Sequence, residues 1–142
     1  MSLTFVLTCV EEPGDILGFY SLSATKLEAE DLPKELKKRI GQYGAIPATL
    51  LGRLATAQKY QRNKALRIGE TLLIDAMLRT HIAARQVASF GLIVDVLKVE
   101  GQDPTGFYRR YGFVECVQAP NRMYLPMKTI EDTLRLAGLV SQ

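Results

Sequence analysis

The chain has 142 residues, 47% of them hydrophobic, with a formal net charge of +3 and an isoelectric point near 8.9. That length sustains one core and is too short for two full domains; no stretch approaches the roughly 18 consecutive apolar residues of a membrane span, and the N-terminus lacks the basic segment and cleavage site of a secretion signal. A cytoplasmic protein is expected. Cys9 and Cys116 belong to no CxxC or Cys/His cluster, so they read as half-buried apolar residues, and neither a disulfide nor a metal site is expected.

From the N-terminus, residues 3–10 are rich in β-branched side chains, EEPGD supplies a turn at Pro13-Gly14, and residues 16–24 resume an apolar run. This is the pattern of a β-hairpin. Asp31 ahead of Leu32-Pro33 marks the capped start of a helix through Ile40, closed by Gly41 and Gly44. Its Lys34, Lys37, Lys38 and Arg39 suit the solvated side of a short helix. Residues 46–57 read as a strand with Pro47 near its start, where a missing N–H is tolerated.

The stretch 51–77, LGRLATAQKYQRNKALRIGETLLIDAM, joins that strand to a long helix through a basic loop. A helix beginning there aims unpaired N–H groups and the positive end of its dipole at one point, and Lys59, Arg62, Lys64 and Arg67 add four cations. The loop is therefore a candidate phosphate or pyrophosphate site, although charge alone fits a solvated connection equally well. The helix is expected over residues 68–84. Ile68, Leu72 and Ala76 recur at i, i+4, i+8, while Ile74, Leu78 and Ile82 add apolar surface elsewhere, so it should be largely buried. His81, the only histidine, lies near its end and reads as a surface or dipole partner rather than a catalyst.

Residues 90–97, FGLIVDVL, form the near-continuous apolar run of a central strand covered on both faces. Asp103-Pro104 starts a short helix, DPTGFYRRYG, which Gly112 ends. Residues 113–117 and 122–127 alternate around a Pro-Asn turn as a second hairpin, and Thr129 with Asp132 forms a capping box for a last helix through Leu136. Taken alone, Tyr108 and Tyr111 read as aromatics packed from the short helix onto the core.

Several segments in this order are similar to the GNAT superfamily of acetyl-CoA-dependent N-acetyltransferases. They are LGFYSLSA at 17–24, PATLLGRLA at 47–55, YQ at 60–61 with IGETLLIDAMLR at 68–79, LIVDVL at 92–97, FYRRYGF at 107–113 and MYLPM at 123–127. Jointly they resemble the superfamily's toxin branch from bacterial toxin–antitoxin pairs, which acetylates the amino group of aminoacyl-tRNA.

The resemblance implies an α/β (α+β) fold with a mixed, mostly antiparallel twisted sheet, splayed central strands and flanking helices, as a single domain. The strand at Leu54, Ala55 and Thr56 would lend backbone groups to the pantetheine arm of acetyl-CoA. Lys64, Arg67, Ile68, Gly69 and Glu70 would hold the pyrophosphate, and Tyr108 would protonate the departing thiolate. A ribbon-helix-helix antitoxin and homodimerisation are implied as well.

Two departures stand out. The branch's phosphate loop has the form Q/RxxGxG/A, whereas here RNKALR precedes Ile68-Gly69. Aligned backward from Gly69, Lys64 takes the first position and Arg67 the middle glycine; aligned forward from Gln61, Lys64 takes that glycine. An arginine forced to positive φ would be strained by about 1 kcal/mol. The branch's N-terminal leader has no counterpart before the first matching segment. Three functions follow as expectations: toxin-type transfer to aminoacyl-tRNA, transfer to a protein N-terminus or small amine, or a degenerate CoA-binding module.

Overall fold

A computed structural model describes residues 2–40, 45–84 and 89–141. In chain order the elements are β1 (Ser2–Thr8), β2 (Ile16–Glu28), α1 (Lys34–Ile40), β3 (Ala45–Thr56), α2 (Ile68–Ala83), β4 (Gly91–Asp95), α3 (Thr105–Arg110), β5 (Val114–Glu115), β6 (Arg122–Pro126) and α4 (Met127–Leu136), with 3-10 turns at Ala29–Asp31, Gln58–Tyr60 and Lys64–Leu66. The strands form one sheet in the order β1-β2-β3-β4-β6-β5. Every neighbouring pair is antiparallel except β3 with β4. The expected mixed, mostly antiparallel sheet with flanking helices is therefore present.

The apolar run of β4 explains its central place. Leu92, Ile93 and Val94 are buried, and alternation sends Leu92 and Val94 toward α2 and α4 while Ile93 joins Leu27, Ile46 and Tyr124 on the opposite face. Burying each such side chain contributes roughly 1.5–3 kcal/mol, so both faces hold the strand where the site needs it.

Helix α2 buries Ile68, Leu72, Leu73, Ala76, Met77 and Thr80 against the sheet and α4. It is less enclosed than its composition predicts, because these elements cover one side and leave Ile82 54% exposed. The last helix also departs from expectation. It begins at Met127 rather than after Thr129, without a side-chain cap. The chain passes directly from β6 into α4, and the Met127 amide is satisfied by the Phe90 carbonyl at 3.0 Å, so no threonine cap is needed. Asp132 instead accepts from Lys128 at 3.1 Å and Arg135 at 3.4 Å.

The second hairpin keeps only two paired positions, Val114 with Tyr124 and Glu115 with Met123. The loop amide of Val117 is drawn to the Asp31 carbonyl at 2.8 Å instead. Asp31 itself lies in a 3-10 turn, with α1 starting at Lys34 and Lys34, Lys37 and Lys38 solvated as expected. Gly41, Gly44 and the Arg39 side chain fall outside the described residues. Cys116 is buried, and burial pushes its thiol up to about 11, whereas Cys9 is exposed rather than half-buried.

Candidate active site

The site begins where two strands part. β3 and β4 are paired only at Thr49–Leu92, Leu50–Ile93 and Leu51–Val94. Beyond that, β3 stays with β2 while β4 stays with β6. A bulge accompanies the parting: between matched positions β2 runs from Tyr20 to Leu22 while β3 runs from Leu54 back to Leu51, one residue more. The Arg53 amide donates to Ser21 Oγ at 3.2 Å. A Cβ on Gly52 would lie 2.6 Å from that oxygen, so the glycine in LGRLA is what lets the bulge close.

Leu54, Ala55 and Thr56 consequently pair only with β2, through Tyr20, Phe19 and Gly18, and turn their other edge toward the gap. The gap is a cleft of about 730 Å³ lined by Leu54, Ala55, Val94, Phe107 and Tyr108, among others. An extended chain carrying amides can use such an edge as a further strand would.

A second cleft of about 610 Å³ adjoins it, lined by Thr56, Tyr60, Gln61, Asn63, Lys64, Arg67, Ile68, Gly69 and Glu70, and by Phe107, Arg110 and Tyr111 of α3. Phe107 and the consecutive Ala55 and Thr56 link the two. Ile68, Gly69 and Glu70 open α2, and Thr71 is the first residue whose amide bonds back, to the Arg67 carbonyl at 3.0 Å. The three preceding N–H groups and the helix dipole thus favour an anion at this end. The Ile68 side chain itself packs in the core, so it can contribute only its backbone.

Arg67 occupies the left-handed region at φ 48 and ψ 44 and is the only non-glycine residue with positive φ among those described. The conformation that glycine provides in the Q/RxxGxG/A pattern is therefore taken up by an arginine, at a strain on the order of 1 kcal/mol. Its guanidinium lies 3.5 Å from the Glu70 carboxylate in an exposed pair. Glu70 thus brings negative charge to the cleft and tempers Arg67. Replacing Arg67 with glycine is expected to leave stability equal or up to about 1 kcal/mol higher in chemical denaturation, since lost strain outweighs an exposed ion pair and is partly offset by glycine's backbone entropy. The same variant should bind a diphosphate-bearing ligand several-fold more weakly in calorimetry.

Helix α3 supplies the reactive side of the cleft. Asp103 fixes its start by accepting from the Thr105 amide at 3.0 Å and hydroxyl at 2.5 Å. Gly112, at φ 99, ends the turn. Tyr108 is 6% exposed and stands edge-on to Phe107 and Phe113, at 5.2 and 5.3 Å between ring centres. Burial pushes its phenol up to about 12. Tyr108 lines the first cleft, and its hydroxyl is not among the sealed, unpartnered polar atoms. A buried ring with an accessible, protonated hydroxyl can hand a proton to an atom in the cleft. Tyr111 faces the second cleft, its phenol held above the ordinary range by burial and by Glu70.

The structure brings together every sequence-derived candidate, Tyr108 with Leu54, Ala55, Thr56, Lys64, Arg67, Ile68, Gly69 and Glu70, around these adjoining clefts. Lys59 and Arg62 are not among the lining residues; Lys59 instead reaches Asp15 at 2.8 Å. Arg110 is a further cation that lines the second cleft and that its own stretch of sequence does not single out. The signal it does carry is that Phe107, Arg110 and Tyr111 share one helix face at i, i+3 and i+4. His81, on α2, faces α4 with its Nδ1 3.9 Å from Glu131 and lines neither cleft.

Parted parallel strands leading to a helix N-terminus, with a phenol at the parting, are the arrangement of the GNAT acyltransferase fold. No protein-family model matches the chain. It is 28% identical over 134 residues to the probable toxin TacT of Sinorhizobium fredii, covering 91% of this chain and 72% of that protein. Among solved structures, a tyrosine-to-phenylalanine mutant of KacT shares 32% identity at a TM-score of 0.71, covering 83% of this chain and 66% of that one. AtaT complexed with acetyl-methionyl-tRNA shares 29% at a TM-score of 0.78, covering 92% and 74%. An AtaT mutant bound to acetyl-CoA and the C-terminus of the antitoxin AtaR shares 28% at 0.63, covering 84% and 64%. In sequence and fold the chain is similar to the toxin branch of the GNAT N-acetyltransferases, and spans between 64% and 74% of the length of these solved relatives.

Proposed function

We propose that this chain is an acetyl-CoA-dependent N-acetyltransferase of the toxin type that transfers acetyl to the amino group of an aminoacyl-tRNA. The observation that carries the proposal is the continuity from the edge of Leu54, Ala55 and Thr56 that β4 leaves unpaired, past Tyr108, to the amides that open α2. In this reading the strand edge holds the pantetheine arm. The α2 N-terminus, Lys64, Arg67 and Arg110 receive the pyrophosphate. A neutral amine attacks the thioester carbonyl, the tetrahedral oxyanion collapses, the C–S bond breaks, Tyr108 gives its proton to the thiolate sulfur, and the proton shed by the acylated nitrogen restores the phenol through solvent.

The acceptor assignment draws support from AtaT, whose complex contains acetyl-methionyl-tRNA. A polyamine acceptor lacks comparable support, since the carboxylates lining the first cleft are already engaged: Asp95 by Arg122 at 2.7 and 3.0 Å, and Asp103 by Thr105. An antitoxin with a ribbon-helix-helix part, homodimerisation and a cytoplasmic location complete the proposal; no described helix is long and apolar enough to cross a membrane.

Incubation with labelled acetyl-CoA and a panel of charged tRNAs, amino-terminal peptides and small amines tests the function. Label should appear on aminoacyl-tRNA. Label on a peptide or amine alone would overturn the acceptor, and no transfer at all would leave a CoA-binding module. The pH profile follows from Tyr108. Its phenol, raised by burial to about 12, remains protonated throughout the working range. The rate at limiting substrate should therefore rise as the acceptor amine loses its proton near pH 8 and show no fall before about pH 10.

A further inference from the structure

We propose that Asp15 is a positioning residue for the cofactor cleft, clasping Lys59 and Tyr60 so that the loop through Arg67 is held in the shape that receives a diphosphate. The inference rests on the assignment of the second cleft to acetyl-CoA. Asp15 stands between β1 and β2 in a hydrogen-bonded turn, its amide donating to the Glu12 carbonyl at 3.0 Å. Its carboxylate accepts from Lys59 Nζ at 2.8 Å and from the Tyr60 hydroxyl. The Lys59 ammonium also lies 5.1 Å from the centre of the Tyr60 ring, which closes the group into a triangle.

Tyr60 is where this clasp meets the site. It lines the second cleft, and its ring packs on the core. From it the loop proceeds by successive turns: Asn63 donates to the Tyr60 carbonyl at 3.0 Å, Leu66 to Asn63 at 3.2 Å, and Arg67 to Lys64 at 3.2 Å. Fixing Tyr60 therefore fixes the path that ends in the strained Arg67 and the amides opening α2. Residues 61–67 are exposed, so few buried contacts would hold the path without this anchor. Lys59, whose charge alone marks it as a phosphate ligand, is committed to the loop's geometry.

The test measures acetyl-CoA binding by calorimetry and amide exchange of residues 57–67 for the full chain and for Asp15→Ala and Tyr60→Phe. Asp15→Ala should raise the dissociation constant about tenfold, the scale of one lost charge-assisted hydrogen bond, with a smaller rise for Tyr60→Phe. Exchange should quicken in the loop of the free variants and return to the parent rate when acetyl-CoA saturates them. Dissociation constants within about twofold of the parent, or exchange quickened across the whole sheet, would overturn the clasp while leaving the cleft assignment intact. Failure of the parent chain to bind acetyl-CoA would overturn the cleft assignment and the clasp with it.

Discussion

Tyr108→Phe is expected to lower kcat for acetyl transfer by about 10²–10⁴-fold while acetyl-CoA affinity changes by less than about twofold. The phenol oxygen is the only heavy atom removed. The ring keeps its edge-on contacts with Phe107 and Phe113, and the strand edge and α2 N-terminus are untouched. The loss should therefore fall on the step in which the thiolate leaves. Steady-state kinetics with a charged tRNA, paired with calorimetric titration of acetyl-CoA, separates the two quantities. Equal losses in affinity and turnover would assign Tyr108 to binding instead.

The second large effect lies away from the reacting atoms. A Cβ on Gly18 would stand 2.7 Å from the Ala55 carbonyl oxygen, 2.8 Å from Leu72 Cδ1 and 3.1 Å from Ile68 Cγ2. These neighbours belong to the two halves of the cradle, the end of β3 and the first turns of α2. The β3 end cannot move away freely, because the next amide, Ala57, bonds the Leu17 carbonyl at 2.8 Å. Gly18→Ala should therefore destabilise the chain by about 1–3 kcal/mol, the range for overpacking. By widening the cradle it should also raise the acetyl-CoA dissociation constant about tenfold or more. Denaturant titration and calorimetry on the same preparation measure both. An unchanged dissociation constant would show that the cradle tolerates the wedge.

The residues that carry the fold were legible because their patterns are local. FGLIVDVL announces a strand covered on both faces, and the 3.6-residue periodicity after Ile68 announces the helix behind it. LGRLA and FYRRYGF, through their resemblance to a family, pointed to the strand edge and the phenol that meet at the first cleft. What escaped notice depends on contacts distant in sequence. Nothing near Asp15 points to a partner 45 residues away, and no local rule says that Lys59 turns from the cleft toward it. The capping box at Thr129 failed for a similar reason: Phe90, on another segment, supplies the acceptor that the first amide of α4 needs. Ile82 is exposed where burial is expected because periodicity reports which sides of a helix are apolar and not which neighbours exist to cover them. Arg67 is the opposite case. Its backward alignment with a glycine anticipated a left-handed residue, and the backbone adopts that conformation there.

The central claim, acetyl transfer to an aminoacyl ester in this cleft, is tested most directly by the chemical identity of the product. Charged tRNA incubated with the chain and acetyl-CoA is digested to its terminal aminoacyl-adenosine and weighed by mass spectrometry. The predicted result is a terminal adenosine whose amino acid carries one N-linked acetyl group, formed in step with release of free CoA. Unmodified aminoacyl-adenosine under conditions where the chain binds acetyl-CoA would contradict it.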